Sequence, residues 1–269
     1  MQNSTDNNFT LKNTKLILSL FLSFCAIFSF AQDLVNHQGA IQIEVDNLDQ
    51  FYLIDDAGNI TKYNQQGKLL KNYSSKKLGM INSADVTNPL DIQLFYRSYN
   101  KIVRIDNELT EKGVIELEKF GIHEASAACY SNDGKAWVFD RVLQRAYKLN
   151  ERKVHTEGDQ LEQAINTTLN PTFMYEGKEW LYLHDNALGI IILDLYGRYY
   201  KTIPLIGIKN LQVKDNFLYY YKGDDFFRYR MKVLSEEKIE ISPELIDYKI
   251  GKKQIFQLTE NSVNLRVLE

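Results

Sequence analysis

Two neighbouring pairs, His123-Glu124 and His184-Asp185, combine residue types that could move a proton. A general base needs its partner within hydrogen-bond reach, yet successive residues of an extended strand point to opposite faces. Neither pair is therefore a ready-made dyad. His37 and His155 lie far from both, and no close histidine, cysteine or carboxylate spacing matches a metal-ligand motif. The chain also lacks a Gly-rich phosphate loop, a GxSxG elbow, an HExxH helix and a CxxC pair. These residues point away from an enzyme and call for no cofactor and no bound metal. A site in this chain has to be assembled from residues distant in sequence.

The remaining chemistry is equally spare. Cysteine occurs at Cys25 and Cys129 alone, and Cys129 sits in the apolar run Ala127-Ala128-Cys129-Tyr130, the setting of a buried small hydrophobe rather than a nucleophile. The formal net charge is −3, with Lys and Arg scattered along the chain. Nucleic-acid binding needs a concentrated basic face, so no nucleic-acid partner is expected.

The first residues read as an address. Lys12 and Lys15 precede the apolar run Leu16–Phe30, and Ser29 and Ala31 place small residues at −3 and −1 before Gln32. That is the layout of a cleaved signal peptide over residues 1–31, leaving one domain over 32–269. The apolar run is shorter than the roughly 20 residues that span a bilayer, so no stable membrane span is expected after cleavage. Phe24 before Cys25 speaks against a lipoprotein. The expected destination is the periplasm or the exterior, where a mature chain with one cysteine has no internal disulfide and depends on its core.

After Ile41 the chain breaks into aromatic and aliphatic runs of five to eight residues, separated by turn clusters such as Asp56-Ala57-Gly58-Asn59 and Ser131-Asn132-Asp133-Gly134. Such runs are strands. The exception is 157–166, whose GDQLEQAIN suits a short helix or a long loop. One motif recurs: FYLIDD from Phe51, LFYRS from Leu94, WVFDR from Trp137, LYLHD from Leu181, LYYYKGD from Leu218 and IFQLTEN from Ile255. With Tyr52, Tyr96, Val138, Tyr182, Tyr219 and Phe256 taken as equivalent, successive units lie 37 to 44 residues apart. Six units of about 40 residues match four-stranded propeller blades.

The units divide alike. The fourth has strands near Thr172–Tyr175, Trp180–His184, Ile190–Leu195 and Tyr199–Pro204; the sixth has three strands, and its missing outer strand can come from residues 33–38. The expected fold is all-β, a six-bladed β-propeller of four-stranded antiparallel blades, its ring closed by an N-terminal strand near Leu34–His37 so that no end blade keeps an open edge. In repeat length and strand order, residues 33–269 resemble the β-propeller superfamily, in the style of six-bladed NHL-like or WD-repeat-like proteins. The Gly-His and Trp-Asp pairs of WD40 repeats and the kelch double glycine are missing. Asn88-Pro89-Leu90 followed by Leu94-Phe95-Tyr96 also resembles uncharacterised exported bacterial proteins, which implies no activity. Even strand spacing equally permits a two-sheet sandwich.

A ring would gather side chains at the mouth of its channel. The loops into each first strand offer Asn82, His123, Glu124, Asn170 and Asn210, with Lys209 beside the last; these five are the candidate ligand-binding residues. The turns between second and third strands add Asp55, Asp140, His184 and Asp185 among others. Carboxylates and amides there suit a cation or polar ligand, and they equally suit tight turns, whose Asp and Asn bond the backbone two residues on. Tyr219-Tyr220-Tyr221 and Tyr199-Tyr200 could stack on a ligand, although filling the space between sheets is the simpler use. The expected function is binding or scaffolding, as a monomer, for a protein or cell-envelope component. The alternative is a metal-dependent hydrolase or lyase at the channel mouth. Propeller lactonases draw acidic and amide ligands from several blades, and Asn82, Glu124, Asn170 and Asn210 come nearest to such a set.

Overall fold

Buried strands in the middle of each unit and exposed strands at its edge set the architecture. The computed structural model describes residues 33–241 and 245–268. Six sheets of four antiparallel strands follow one another along the chain. Blade 1 comprises β2 (Ala40–Val45), β3 (Phe51–Asp55), β4 (Asn59–Tyr63) and β5 (Leu69–Ser74). Blade 2 has β6 (Ser83–Asp85), β7 (Ile92–Tyr96), β8 (Lys101–Ile105) and β9 (Glu111–Glu116). Blade 3 has β10 (Ala125–Tyr130), β11 (Ala136–Asp140), β12 (Arg145–Leu149) and β13 (Val154–Glu157). Blade 4 has β14 (Phe173–Glu176), β15 (Leu181–Asp185), β16 (Gly189–Leu193) and β17 (Tyr199–Ile203). Blade 5 has β18 (Ile208–Lys214), β19 (Phe217–Lys222), β20 (Asp225–Arg230) and β21 (Ser235–Ile239). Blade 6 has β22 (Asp247–Ile250), β23 (Gln254–Leu258) and β24 (Ser262–Val267), and its fourth strand is β1 (Asp33–Asn36). The fold is a six-bladed β-propeller, as the repeat requires.

Closure falls where the missing outer strand predicts it. β1 pairs antiparallel with β24, Val35 opposite Val263 and Asn36 opposite Ser262. Leu34 and Val35 pack on the cluster of Ile43, Phe51, Phe256, Leu258 and Val263, which joins blades 1 and 6. Of the short helix and the long loop open to 157–166, the chain forms a helix of little more than one turn, α1 (Leu161–Ile165), in the connection from blade 3 to blade 4. Leu161 is fully buried there with Leu183, Ile191 and Leu193 of blade 4.

β7, β11, β15 and β16 are buried along their whole length, whereas β5 and β21 are mostly exposed. The middle strands lie between neighbouring blades, so both of their faces meet apolar side chains. Tyr219, Phe226 and Tyr248 fill the space between blades 5 and 6, with the Phe226 and Tyr248 rings edge-on at 4.5 Å. The tyrosine run from Tyr219 thus begins in core packing.

The turns between third and fourth strands repeat one device. Asn64, Asp106, Asn150 and Asp194 each accept backbone N–H bonds from the residue two further on and from one three or four further on. Gly67, Leu109 and Gly197 then take left-handed φ values of 77, 59 and 78°. At Gly197 a side chain is excluded outright, because a Cβ would stand 2.7 Å from Gly158 Cα where blades 3 and 4 meet.

Candidate functional site

The first strands of all six blades surround a cavity of about 750 Å³. One residue per blade forms a layer around it: Glu44, Asp85, Ala128, Tyr175, Gln212 and Lys249. Each stands opposite the second-strand residue Tyr52, Gln93, Val138, Tyr182, Tyr219 or Phe256. The repeat read from the sequence is therefore in phase in five units, and in the second the equivalent residue is Gln93 rather than Tyr96. Tyr96 ends its strand three residues later. β7 is apolar along both faces apart from Gln93, so its composition carries no phase.

The layer is lopsided. Blades 6, 1 and 2 supply Lys249, Glu44 and Asp85, with Asp247 also on the wall, whereas blades 3 and 4 supply Ala128, Phe173 and Tyr175. Lys249 Nζ lies 3.1 Å from Glu44, whose carboxylate also accepts from Gln42 Nε2 at 2.7 Å. Burial pushes the Glu44 carboxyl up to about 7, against the opposing pull of Lys249. Burial raises the Asp247 carboxyl as well. It works against charge on Lys249, but Glu44 and Asp247 outweigh it and hold that ammonium above its ordinary value. Burial, then the charge of Asp85, pushes the Tyr175 phenol up to about 12.

Several of these side chains also fasten neighbouring blades. Asp85 Oδ2 accepts from Tyr130 N at 2.9 Å, joining blades 2 and 3, and its Oδ1 accepts from Thr87 N at 3.0 Å. Gln212 grips β22 twice, accepting from Ile250 N at 2.7 Å and donating to Ile250 O at 3.1 Å. Two inner strands of adjacent blades do not form a ladder, so buried backbone groups at the seams need side-chain partners.

The five sequence candidates divide. Asn82 and Asn210 line the cavity mouth with Lys209 and Asn186; His123, Glu124 and Asn170 do not line it. Asn82 Oδ1 accepts from Arg97 N at 2.8 Å, and Asn210 Nδ2 donates to Asp247 Oδ1 at 3.1 Å. His123 and Asn170 are held through their backbones: each N–H donates to a turn carboxylate of its own blade, Asp140 Oδ2 at 3.3 Å and Asp185 Oδ2 at 2.7 Å. Glu124 forms an exposed ion pair with Arg141. The second carboxylate oxygens of Asp140 and Asp185 bond Val142 N and Ala187 N at 2.7 and 2.8 Å, which is the turn role of such residues.

His184 lies elsewhere from its neighbour. The residue lines the cavity, opposite Phe173 on the adjoining strand, while its Nε2 is shut off from solvent and has no hydrogen-bond partner among the described residues. The residue is 6% exposed, and burial lowers its pKa while Asp185 opposes the shift. Among the described residues, no group of three or more His, Cys, Asp or Glu is arranged to hold a metal ion. No described helix is long and apolar enough to cross a membrane.

Glu44, Asp85, Gln212 and Lys249 escaped the sequence reading, which looked to loops. Their signal is a polar residue between two apolar ones in the first strand of a unit: Ile43-Glu44-Val45, Ala84-Asp85-Val86, Leu211-Gln212-Val213 and Tyr248-Lys249-Ile250.

This architecture is shared with solved propellers. No protein-family model and no curated protein matches the chain. Among solved structures, virginiamycin B lyase from Staphylococcus aureus is similar with TM-score 0.63 and 15% identity, covering 89% of this chain and 99% of that one. A catalytically inactive form of that lyase with quinupristin gives TM-score 0.59 and 18% identity over 88% of this chain and 87% of the other. The WD40 domain of Neurospora crassa Pan2 gives TM-score 0.59 and 11% identity over 82% and 73%. At these identities the likeness is one of fold.

Proposed function

We propose that the protein is an exported binding module that engages a protein of the cell envelope through the mouth of its channel. One observation carries the reading. Around the opening, the exposed apolar side chains Ile246, Ile41 and Met80 form an arc on blades 6, 1 and 2, and the amides Asn82, Asn186 and Asn210 continue it on blades 2, 4 and 5. Apolar anchors beside groups that bond a main chain are the make-up of a protein-recognition surface. A chain of a solved mitotic checkpoint complex is similar in fold to this one, with TM-score 0.54 and 10% identity.

The test is cross-linking in the native host, comparing the protein with Met80→Asp and Ile246→Asp at the mouth and with Leu90→Asp away from it. One envelope protein should be captured by the parent and by Leu90→Asp, and lost from the other two. Equal capture by all four removes the mouth from the reading.

The buried His184 Nε2, without a hydrogen-bond partner among the described residues, favours a second reading, a metal-dependent hydrolase or lyase working in the same mouth. Turnover on lactone, ester or phosphoester panels, with or without divalent ions, and its loss in His184→Ala, would establish it in place of the first.

A further inference from the structure

We infer that a groove between blades 1 and 2, at the end of the ring away from the channel mouth, takes a small aliphatic carboxylate. Its head meets the Lys62 ammonium and its tail lies across Leu48, Leu70 and Leu90. The site is separate from the mouth and goes beyond the protein binding proposed there.

The groove has a volume of about 260 Å³ and is built largely from the turns that join first to second and third to fourth strands. Leu48 lies between β2 and β3, Pro89 and Leu90 between β6 and β7, and Asn107 between β8 and β9. Lys62 of β4 lies beneath them: it is 4% exposed, against 37 to 64% for Leu48, Leu70 and Leu90. A charged residue this deeply buried needs its hydrogen bonds met.

They are not met within the chain. An ammonium has three N–H donors, and among the described residues this one makes a single hydrogen bond, to Asn107 O at 2.9 Å, with the Tyr52 ring 5.4 Å from Nζ. Three carboxylates stand near, and each is engaged elsewhere. Asp46 accepts from Leu48 N, Gln50 N and the Tyr52 hydroxyl. Asp106 accepts from Glu108 N and Thr110 N, and Glu108 pairs with Lys71 at 2.8 Å. Burial accordingly holds the Lys62 ammonium below its ordinary value, against the pull of Asp46, Glu108 and Asp106. A carboxylate entering the groove brings both the missing acceptors and a free counter-charge.

The rim names the rest of the ligand. Leu48, Leu70 and Leu90 are exposed around the groove, and a hydrocarbon tail laid over them removes apolar surface from water. With Pro89 they form a wall that has nothing to bond a main chain, so the amides of a protein segment would lie against it unpaired. A free acid with one charged end and an apolar body fits that division, and the small volume suits a short chain.

The experiment is calorimetric titration of the full protein at pH 7.5 with four probes: octanoate, butyrate, 1-octanol and N-acetyl-leucine. Octanoate should bind at least tenfold more tightly than octanol, which shares its tail, and than butyrate, which shares its head. In Lys62→Met the octanoate affinity should fall at least tenfold while that for octanol stays as in the parent, a pattern that a merely structural lysine would not give. Leu90→Asp keeps Lys62, changes an exposed side chain and sets a negative charge on the rim, so it too should cost octanoate at least tenfold. Circular dichroism establishes folding, and if Lys62→Met does not fold, Leu90→Asp decides. Equal affinity for octanoate and octanol, or undiminished octanoate binding in Leu90→Asp, overturns the inference. Tighter binding of N-acetyl-leucine than of octanoate also overturns it, because the occupant is then the end of a protein chain. Partner capture through the mouth depends on Met80 and Ile246, so its outcome is read separately.

Discussion

Asp247 Oδ2 accepts a hydrogen bond from the backbone N–H of Ile43 at 3.0 Å, across 204 residues of sequence. The two sit on the first strands of blades 6 and 1, so this contact and the Glu44–Lys249 pair beside it hold the seam where the ring meets itself. A third fastening is the β1–β24 ladder at the outside of blade 6.

Removing residues 33–36 should therefore act on the whole ring. The deletion strips β24 of its outer partner and uncovers the apolar cluster under Leu34 and Val35. Two half-buried aliphatic side chains and a short ladder contribute about 2–4 kcal/mol. Thermal melting should show the drop, and an unchanged midpoint would count against closure by this strand.

Glu44 gives stability a pH dependence of known sign. Its carboxyl titrates at about 7 in the folded chain, raised by burial above the ordinary glutamate value. The folded state thus keeps a proton that the unfolded state has released, so the contribution is full at low pH and lost as pH rises through 7. Glu44→Gln is neutral at every pH and should remove this slope. Urea melts at pH 5 and pH 8 should fall further apart in the parent than in the variant, by about 1–3 kcal/mol. The opposite-signed contribution of His184, whose pKa is lowered, is common to both proteins and cancels in the comparison.

Glu176 is the corresponding weak point between blades 3 and 4. Only 6% exposed, it accepts from Ser131 Oγ at 2.7 Å, Asn132 N at 2.9 Å and Trp137 Nε1, with Lys148 Nζ 3.5 Å away. Glu176→Ala would leave the Ser131 hydroxyl and the Trp137 indole N–H buried and unmet, at a cost of about 3–5 kcal/mol. Denaturant unfolding measures the loss, and the emission of Trp137 should change. A variant as stable as the parent would show that water replaces the carboxylate.

Export is tested at the N-terminus. Mass spectrometry of the protein from its native host should find Gln32, open or cyclised, as the first residue. A cytoplasmic protein starting at Met1 would end the proposal of an envelope role.

The fold was legible in the sequence because strands sandwiched between blades must be apolar and turns must be polar, and those two demands recur with each blade. Even the borrowed strand at Leu34 followed from counting three strands in the last unit. A sharper repeat went unread: Asn64, Asp106, Asn150 and Asp194, the residues that cap the third-to-fourth-strand turns, recur every 42 to 44 positions. The site was half legible. Asn82 and Asn210 reach the mouth, whereas His123 and Asn170 are bound through backbone groups that side-chain chemistry does not reveal. Asp85 and Glu44 were hidden inside strands, where an isolated polar residue resembles an ordinary solvent-facing one until the ring turns that face toward the channel.

The pairing of β1 with β24 also sets a clock on folding. The ribosome makes β1 before the other strands and β24 after them, so a growing chain can complete blades 1 to 5 one by one but cannot close its circle until β24 has emerged. Until then blade 6 is absent, and the apolar faces of blades 1 and 5 that it will cover stand open. Contacts of such long sequence separation form slowly, and half-built sheets with bare edges are prone to pair with other chains. A propeller fastened in this way stays unfinished throughout its own synthesis, a state compatible with being threaded across a membrane before it locks.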